Sequence, residues 1–477
     1  MENPKSAFSE WYTEITTKAK LCDMRYNVKG FVVFMPNSVT TMKRMYSVYE
    51  QELERNAHKP VWLPALIPES NFTKEGEHVK GFVPEVFWVT EAGGNKLEER
   101  LAMRPTSETA IYQMFSLWVQ GKADLPLKTY HSAQVWRYET KATRPFIRSR
   151  EFHWIETHCA FASEKDARRQ VKEDMKTTER VIHGQFGIPF IFFERPQWDK
   201  FPGADYTFAA DTLMPDGRIL QLPSTHILSE KFSKAFEINY LNEKGERAGC
   251  RTTCYGPAIS RIYAALISAH GDDKGLVFPF DLASTQIAIV PIIRKEGGEA
   301  VLSYCKKLYK KLSKKYRTVL DASQNTPGFK FNEWEMLGTP VRLEIGGREV
   351  EKGEVTIARR DTGAKETIAL AQLKKKISQI RREILPLLRS RADNSFNSKI
   401  YAASSLEELG EKLKSGGFVK IPFCTMQKEG EACAEKIKEQ FSANVRGSRF
   451  GKKEKTEGNC IVCGKKAKAV VYAARQY

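Results

Sequence analysis

The sequence predicts an α+β protein of three successive units, and three observations carry that expectation. To about Phe280, short apolar runs mix irregularly with helical stretches, as around a mostly antiparallel sheet. From Gln286 the order becomes strand, helix, strand, the rhythm of a small, parallel-rich α/β domain. After a polar stretch at 391–398, Ser405 and Glu408 stand at capping-box spacing and open a third unit. A chain of 477 residues is too long for one core, so boundaries are expected at 1–283, 284–391 and 392–477.

In chain order, GFVVFM at 30–35, VFWVT at 86–90 and PFIFFE at 189–194 read as strands of the first unit. IAIVPI, TPVRLEI and VTIARR supply strands of the second, and EAVLSYCKKLYKKLSKKY a basic helix between them. Over 368–391, Leu370, Leu373, Ile377, Ile380, Ile384 and Leu387 recur at helical spacing, which predicts a helix with that stripe in the core. RADNSFNS at 391–398 reads as a linker.

The composition, 41% hydrophobic and 28% charged, is that of a soluble globular protein. Lys and Arg outnumber Asp and Glu by 76 to 58, a field that attracts polyanions such as nucleic acid or simply a solvated basic surface. The start, MENPKSAFSEWYTEI, lacks a secretory pattern, and no apolar run reaches the roughly 20 residues of a membrane span. A cytoplasmic protein with no membrane partner is expected. Nine scattered cysteines do not suggest a disulfide framework. Cys22, Cys159, Cys250, Cys254 and Cys305 read as small buried hydrophobes.

Residues 133–158, AQVWRYETKATRPFIRSREFHWIETH, hold the densest chemistry. Arg137, Arg144, Arg148 and Arg150 interleave with Glu139, Glu151 and Glu156 and with Trp136, Phe146, Phe152 and Trp154. A strand-loop-strand of this kind could grip an anionic, planar ligand, because guanidinium groups pair with phosphate oxygens and aromatic or Arg planes sandwich a base. An ordinary ion-paired surface hairpin is the other reading of the segment alone.

Arg137 and Glu139, followed by a loop and a second strand, resemble motif 2 of the class II aminoacyl-tRNA synthetases. YGPAISRIYAALI, with Arg261, resembles motif 3, and HKPVWLPALIP, with Pro64, resembles motif 1 at the dimer interface. RPTSET at 104–109, REFHWIETH at 150–158, PGADYTFAADTLMPDGRILQ at 202–221, STHILSEKFSKAF at 224–236, HGDDKGLVFP at 270–279 and PGFKFNEWEMLGTPVRLEIGGREV at 327–350 resemble the prolyl-tRNA synthetases, over nearly the whole chain. The resemblance implies a homodimer whose class II antiparallel-sheet catalytic domain precedes an α/β anticodon-binding domain and a small α/β zinc-binding domain. It implies activation of L-proline with ATP to prolyl-adenylate and pyrophosphate, then transfer to the 3′-terminal ribose of tRNA(Pro).

The same resemblance implies site residues. Thr106 and Glu108 would hold the imino nitrogen, whose two donors and positive charge suit a hydroxyl and a carboxylate. Ser107 and Glu156 belong to the same proline site, Trp154 and Phe82 would wall the pyrrolidine ring, and His226 would line the far side. Arg137 and Arg261 are the catalytic pair, the first on the substrate carboxylate and α-phosphate, the second on the γ-phosphate. Glu139, Arg148, Ser149, Gln221 and Ser224 would surround adenine, ribose and metal, with Mg2+ bridging the phosphates. Positioning and charge neutralisation suffice for such a transfer without a protein nucleophile. The sequence departs from the family at Pro257 and Ala258, where glycines are common, and at Ser224, where Thr is common. Pro and Ala stiffen a strand end beside ATP that Gly would leave free.

About 60 residues separate His158 from Gln221, too few for an inserted editing domain; the chain resembles the archaeal and eukaryotic types with a carboxy-terminal extension. Cys424, Cys433, Cys460 and Cys463 suit a tetrahedral zinc site, although family members often space the first pair more closely; a metal-free thiol cluster is the alternative. Arg342 and Glu344, predicted to alternate outward, join Arg348 and Arg360 as expected anticodon contacts, near Arg359. Tyr477 is implied as an anchor towards the catalytic domain. A sibling enzyme for another amino acid, such as threonine, and a silent RNA-binding paralogue are the rival readings; RPTSE with WIETH argues against the first, and the presence of Arg137 and Arg261 against the second.

Overall fold

Long strands form where β-branched and aromatic runs are bounded by turn residues. In the computed structural model, which describes residues 8–74, 76, 85–293 and 297–477, Leu127–Trp136 and Glu151–Phe161 flank the charged loop as an antiparallel pair, from Leu127 opposite Ala160 to Trp136 opposite Glu151. Ala204–Leu213 and Ile219–Leu228 form a second antiparallel pair around Pro215, Asp216 and Gly217, residue types that favour chain reversal. Arg251–Gly256 joins the two pairs, and Ile191–Glu194 extends the sheet beyond Ala204–Leu213. The run at 30–35 yields only Val33–Phe34, paired with Cys22–Asp23.

Behind this sheet lies Ile259–His270, a helix apolar enough to be buried on nearly every face. Its residues share one core with the helices Phe8–Lys18 and Pro36–Arg55. Arg261 is the one Arg or Lys of this helix and sits in the first turn.

The second unit is a five-stranded sheet in the order Thr318–Leu320, Ile287–Pro291, Val341–Ile345, Glu354–Arg359, Lys365–Ala369. The first three strands run parallel and the last two add antiparallel, so the expected parallel character holds for half of the sheet. Leu373, Ile377, Ile380 and Ile384 are buried as predicted, with Leu388 rather than Leu387 continuing the stripe. The expected linker is a correction: Leu373–Asn397 is one helix, and Ala392 and Phe396, four residues apart, bury its last turns.

The third unit opens as expected, with Ser405 Oγ accepting from Glu408 N at 3.2 Å. It is not a separate layer. Its strand Asn444–Arg449 pairs with Ile191–Glu194, Ser448 opposite Glu194 and Arg449 opposite Phe193, so both units share one eleven-stranded sheet. Gly447 makes this approach possible: its φ is +113°, and a Cβ there would lie 1.9 Å from the Glu194 carbonyl oxygen. At the turn between Ala204–Leu213 and Ile219–Leu228, Gly417 N donates to Gly217 O at 2.7 Å. None of the described helices is long and apolar enough to cross a membrane.

Candidate active site

Along Glu151–Phe161, alternate residues share one face. Phe152, Trp154, Glu156 and His158 therefore line a single cavity of about 430 Å³, together with Thr106, Glu108, Arg137, Gln221, Ser224, His226 and Arg261. Ser107 occupies the position before the helix Glu108–Trp118 without a side-chain capping bond, and Glu108 falls in the first turn. Thr106 Oγ1 lies 2.7 Å from Glu156 Oε1 and also contacts Glu108 Oε2, so one hydroxyl proton is shared between two carboxylates. Glu156 accepts further from Ser107 N at 3.1 Å and from Ser107 Oγ. Burial, with Glu108 beside it, raises the Glu156 carboxyl above the usual carboxylate range. Ser107 itself is fully buried, with both its N–H and its hydroxyl on Glu156.

His226 is fixed on both sides, its Nδ1 2.9 Å from Thr207 Oγ1 and its Nε2 3.0 Å from Ser224 Oγ. The Phe201 ring packs on it at 4.6 Å. Burial pushes the imidazole down to about 4, so it is neutral at physiological pH. Arg137 lies 5.4 Å from the ring centres of both Phe152 and Trp154, and its Nε donates to Pro105 O at 3.1 Å.

The basic end of the cleft is built by the loop between the two long strands. Phe146 takes a φ of +62° and is buried, its ring stacked 4.8 Å from Phe34 and edge-on 5.0 Å from Tyr263. This anchor folds the loop back, so that Glu139, Arg148 and Ser149 line a recess beside Arg137 and Arg261. Arg148 and Glu139 pair at 3.5 Å, and Ser149 Oγ donates to Glu151 O at 2.6 Å. Burial, with Arg137 and Arg148 nearby, lowers Arg261 to about 10. Crowding three guanidinium groups in an enclosed recess favours a polyanionic guest. Pro257 and Ala258 fit this backbone without strain: Pro257 O accepts from Ile155 N at 3.0 Å, and Ala258 has a φ of −75°.

Sequence reasoning missed one cluster. Asp211, fully buried, is held between Arg195, at 2.7 and 3.0 Å, and Arg446 of the third unit, at 2.8 and 3.2 Å. Both arginines line the cleft, as does Gln476. The available signal was a charge inside an apolar strand, Asp211 within FAADTLM. The chain end docks nearby: Tyr477 N donates to Ile219 O at 3.2 Å, and its hydroxyl reaches Asp216.

Outside the cleft, the Sγ atoms of Cys424, Cys433, Cys460 and Cys463 lie within 4.8 Å of one another. Tetrahedral zinc, with Zn–S bonds of about 2.3 Å, asks for sulfurs about 3.8 Å apart, so the four thiols fit that ion. In the second unit, the expected outward stance of Arg342 and Glu344 is corrected, since both are buried. Arg342 donates to Glu344 at 2.9 Å and to Glu335 at 3.1 Å, under the Phe331 ring at 4.4 Å. Arg360 pairs with Asp272 of the first unit at 2.9 Å, and Arg359 with Asp361 at 2.8 Å; Arg348 is exposed. Phe82 lies outside the described residues.

Comparison with known proteins gives the family. The family of the tRNA synthetase class II core domain (G, H, P, S and T) matches residues 87–270, the anticodon binding domain 286–380, and the prolyl-tRNA synthetase C-terminal domain 406–477. The proline–tRNA ligase of Thermofilum pendens is 52% identical over 98% of this chain and 97% of its own, and that of Pyrococcus abyssi 42% identical over 98% of each. The solved prolyl-tRNA synthetase of Giardia lamblia in complex with prolyl-adenylate superposes with a TM-score of 0.93 at 34% identity, covering 99% of each chain. The chain belongs to the prolyl-tRNA synthetase family. This prolyl-tRNA synthetase family member is thus an ATP-dependent aminoacyl-tRNA synthetase, and its catalytic, anticodon-binding and C-terminal domains follow in the predicted order.

Proposed function

We propose that this cleft condenses L-proline with ATP to prolyl-adenylate and pyrophosphate, and then esterifies proline to the 3′-terminal ribose of tRNA(Pro). One observation carries the assignment: a cavity sized for an aminoacyl-adenylate joins a paired Thr106–Glu108 end, walled by Trp154 and His226, to an arginine-lined end. Glu108 and Thr106 take the secondary ammonium. Arg137, between them and the recess, neutralises the substrate carboxylate and the α-phosphate and aligns carbon-bound oxygen with phosphorus. Arg261 holds the departing phosphates, and Glu139, Arg148, Ser149, Gln221 and Ser224 bind the nucleotide. Glu85 and Glu139 are the carboxylates that line this recess and would be the ones to hold magnesium, which would neutralise phosphate charge there.

The four cysteines hold a structural zinc ion in this reading, and the second unit binds the anticodon, with exposed Arg348 the most accessible of the predicted contacts. The boundary at 283 and a second one after the helix Leu373–Asn397, rather than at 391, divide these tasks, and the enzyme works in the cytoplasm as a homodimer. Support for the dimer is an apolar set left at the surface of the first unit: Trp62 is 90% exposed, Leu117 62% and Trp118 41%.

Amino-acid-dependent exchange of pyrophosphate into ATP, run across the twenty amino acids, tests the assignment. Proline alone should support exchange, and Arg137→Ala should reduce it by about 10²–10³-fold. Exchange driven by a different amino acid would transfer the chain's activity to a sibling enzyme.

A further inference from the structure

We propose that Arg446, delivered by the third unit, is a positioning residue of the activation site: it fixes the side-chain amide of Gln221 so that the amide donates to the nucleotide. The inference rests on the activation chemistry proposed above and adds a residue from outside the catalytic domain.

A glutamine amide presents an acceptor at one corner and two donors at the other. Gln221 Oε1 accepts from Arg195 Nη2 at 3.1 Å and from Arg446 Nη2 at 3.5 Å. Guanidinium groups have no acceptor, so a flipped amide would set N–H against two cations. The two arginines therefore decide the orientation, and the donor corner is what remains for a ligand in the cleft that Gln221 lines. Arg446 also donates to Gln476 Oε1 at 2.6 Å, which ties the last turn of chain to the same wall.

Burial points the same way. Arg195 and Arg446 are each 3% exposed and share one fully buried carboxylate, Asp211. Asp199, which also lines the cleft, is the second carboxylate acting on both, so the pair is compensated in charge while its bonds to Asp211 fix the direction of the guanidinium groups towards Gln221. The backbone is shaped to place Arg446 there. A register shift between Val445 and Gly447 interrupts the pairing of Asn444–Arg449 with Ala469–Ala474, and the left-handed Gly447 brings the next residues against Glu194.

The test uses the full-length chain in proline-dependent pyrophosphate exchange, with thermal unfolding of every variant. Arg446→Met should raise the KM for ATP about tenfold or more and leave the KM for proline near its original value. Arg446→Lys keeps a charge beside Asp211 but lacks the planar fork that reaches Gln221, and it serves if Arg446→Met does not fold. Gln221→Glu, which keeps an acceptor for both arginines but removes the donor, should raise the same KM. The double variant Arg446→Lys with Gln221→Glu should be no worse than the weaker single one, because both act through one amide. A folded Arg446→Lys enzyme with unchanged KM for ATP, or fully additive losses in the double variant, would overturn the inference while leaving the proposed function intact. Absence of proline-dependent exchange in the unaltered chain would instead overturn both.

Discussion

Replacing Gly447 with alanine should loosen the third unit from the first, and the size of the effect can be worked from the backbone. At a φ of +113°, Gly447 lies where side chains are strained, at about 1–3 kcal/mol. The new Cβ would also stand 1.9 Å from Glu194 O. That atom belongs to the main chain, so no rotamer change relieves the contact and the strands must part. The pairing of Ser448 with Glu194 and of Arg449 with Phe193 is lost with them, at about 1 kcal/mol per hydrogen bond. The total is about 3–5 kcal/mol. Gly451→Ala is the matched control, because Gly451 has a φ of +76° but nothing within 4 Å of the added carbon. It carries strain alone, about 1–2 kcal/mol. Urea unfolding followed by intrinsic fluorescence, read at the first transition because a chain with several cores need not unfold in one step, measures both. Equal losses in the two variants would refute the claim that a close strand approach holds the units together.

Burial, with Lys128 nearby, drives His58 down to about 3 from 6.5, so the folded state resists protonation. Its contribution is present above the unfolded pKa and is lost as pH falls below 6.5; the stability difference between the unaltered chain and His58→Gln should shrink by about 2 kcal/mol from pH 7 to pH 5 in urea titrations, and a constant difference would contradict the burial argument. Elemental analysis should find about one zinc ion per chain, lost in Cys460→Ser. Because Trp198 packs 6.2 Å from Phe423 and Gln197 N bonds Met426 O at 3.0 Å, amide hydrogen exchange at 196–202 should quicken in that variant, and unchanged protection would separate the metal from this wall of the cleft. Trp62→Glu should convert a dimer to monomers in sedimentation; a monomeric unaltered chain would remove the dimer reading.

What was legible in the sequence is what strand and helix periods carry. Phe152, Trp154, Glu156 and His158 alternate, and they line one cavity. Arg261 is the one Arg or Lys of a largely buried helix, and it lines the cleft that this helix backs. Where the reading failed, a neighbour absent from the local text decided the outcome. Alternation put Arg342 and Glu344 outward, but their strand lies beside a parallel neighbour in a sheet covered on both faces, and Phe331 of the helix Pro327–Met336 closes over Arg342. At 391–398, polar composition suggested a linker, whereas Ala392 and Phe396 carry the helix on. Arg446 meets Asp211 across 235 residues, through the addition of a strand to another unit's sheet edge, and no local pattern announces that.

The Arg195–Asp211–Arg446 cluster is a poor way to glue two units. Desolvating each ion costs several kcal/mol, and well-packed apolar side chains of similar volume commonly hold such a seam as firmly or more so. The same seam already has that kind of packing, since Phe193 of the first unit lies 5.4 Å from Phe418 and 5.2 Å from Tyr472 of the third. The charges lie instead where the seam opens onto the cleft, in contact with Gln221 and Gln476. Their cost is therefore better assigned to the site than to the fold. A third unit that only stabilised the first would have no reason to bring a buried cation to that wall, whereas one that completes the nucleotide side does.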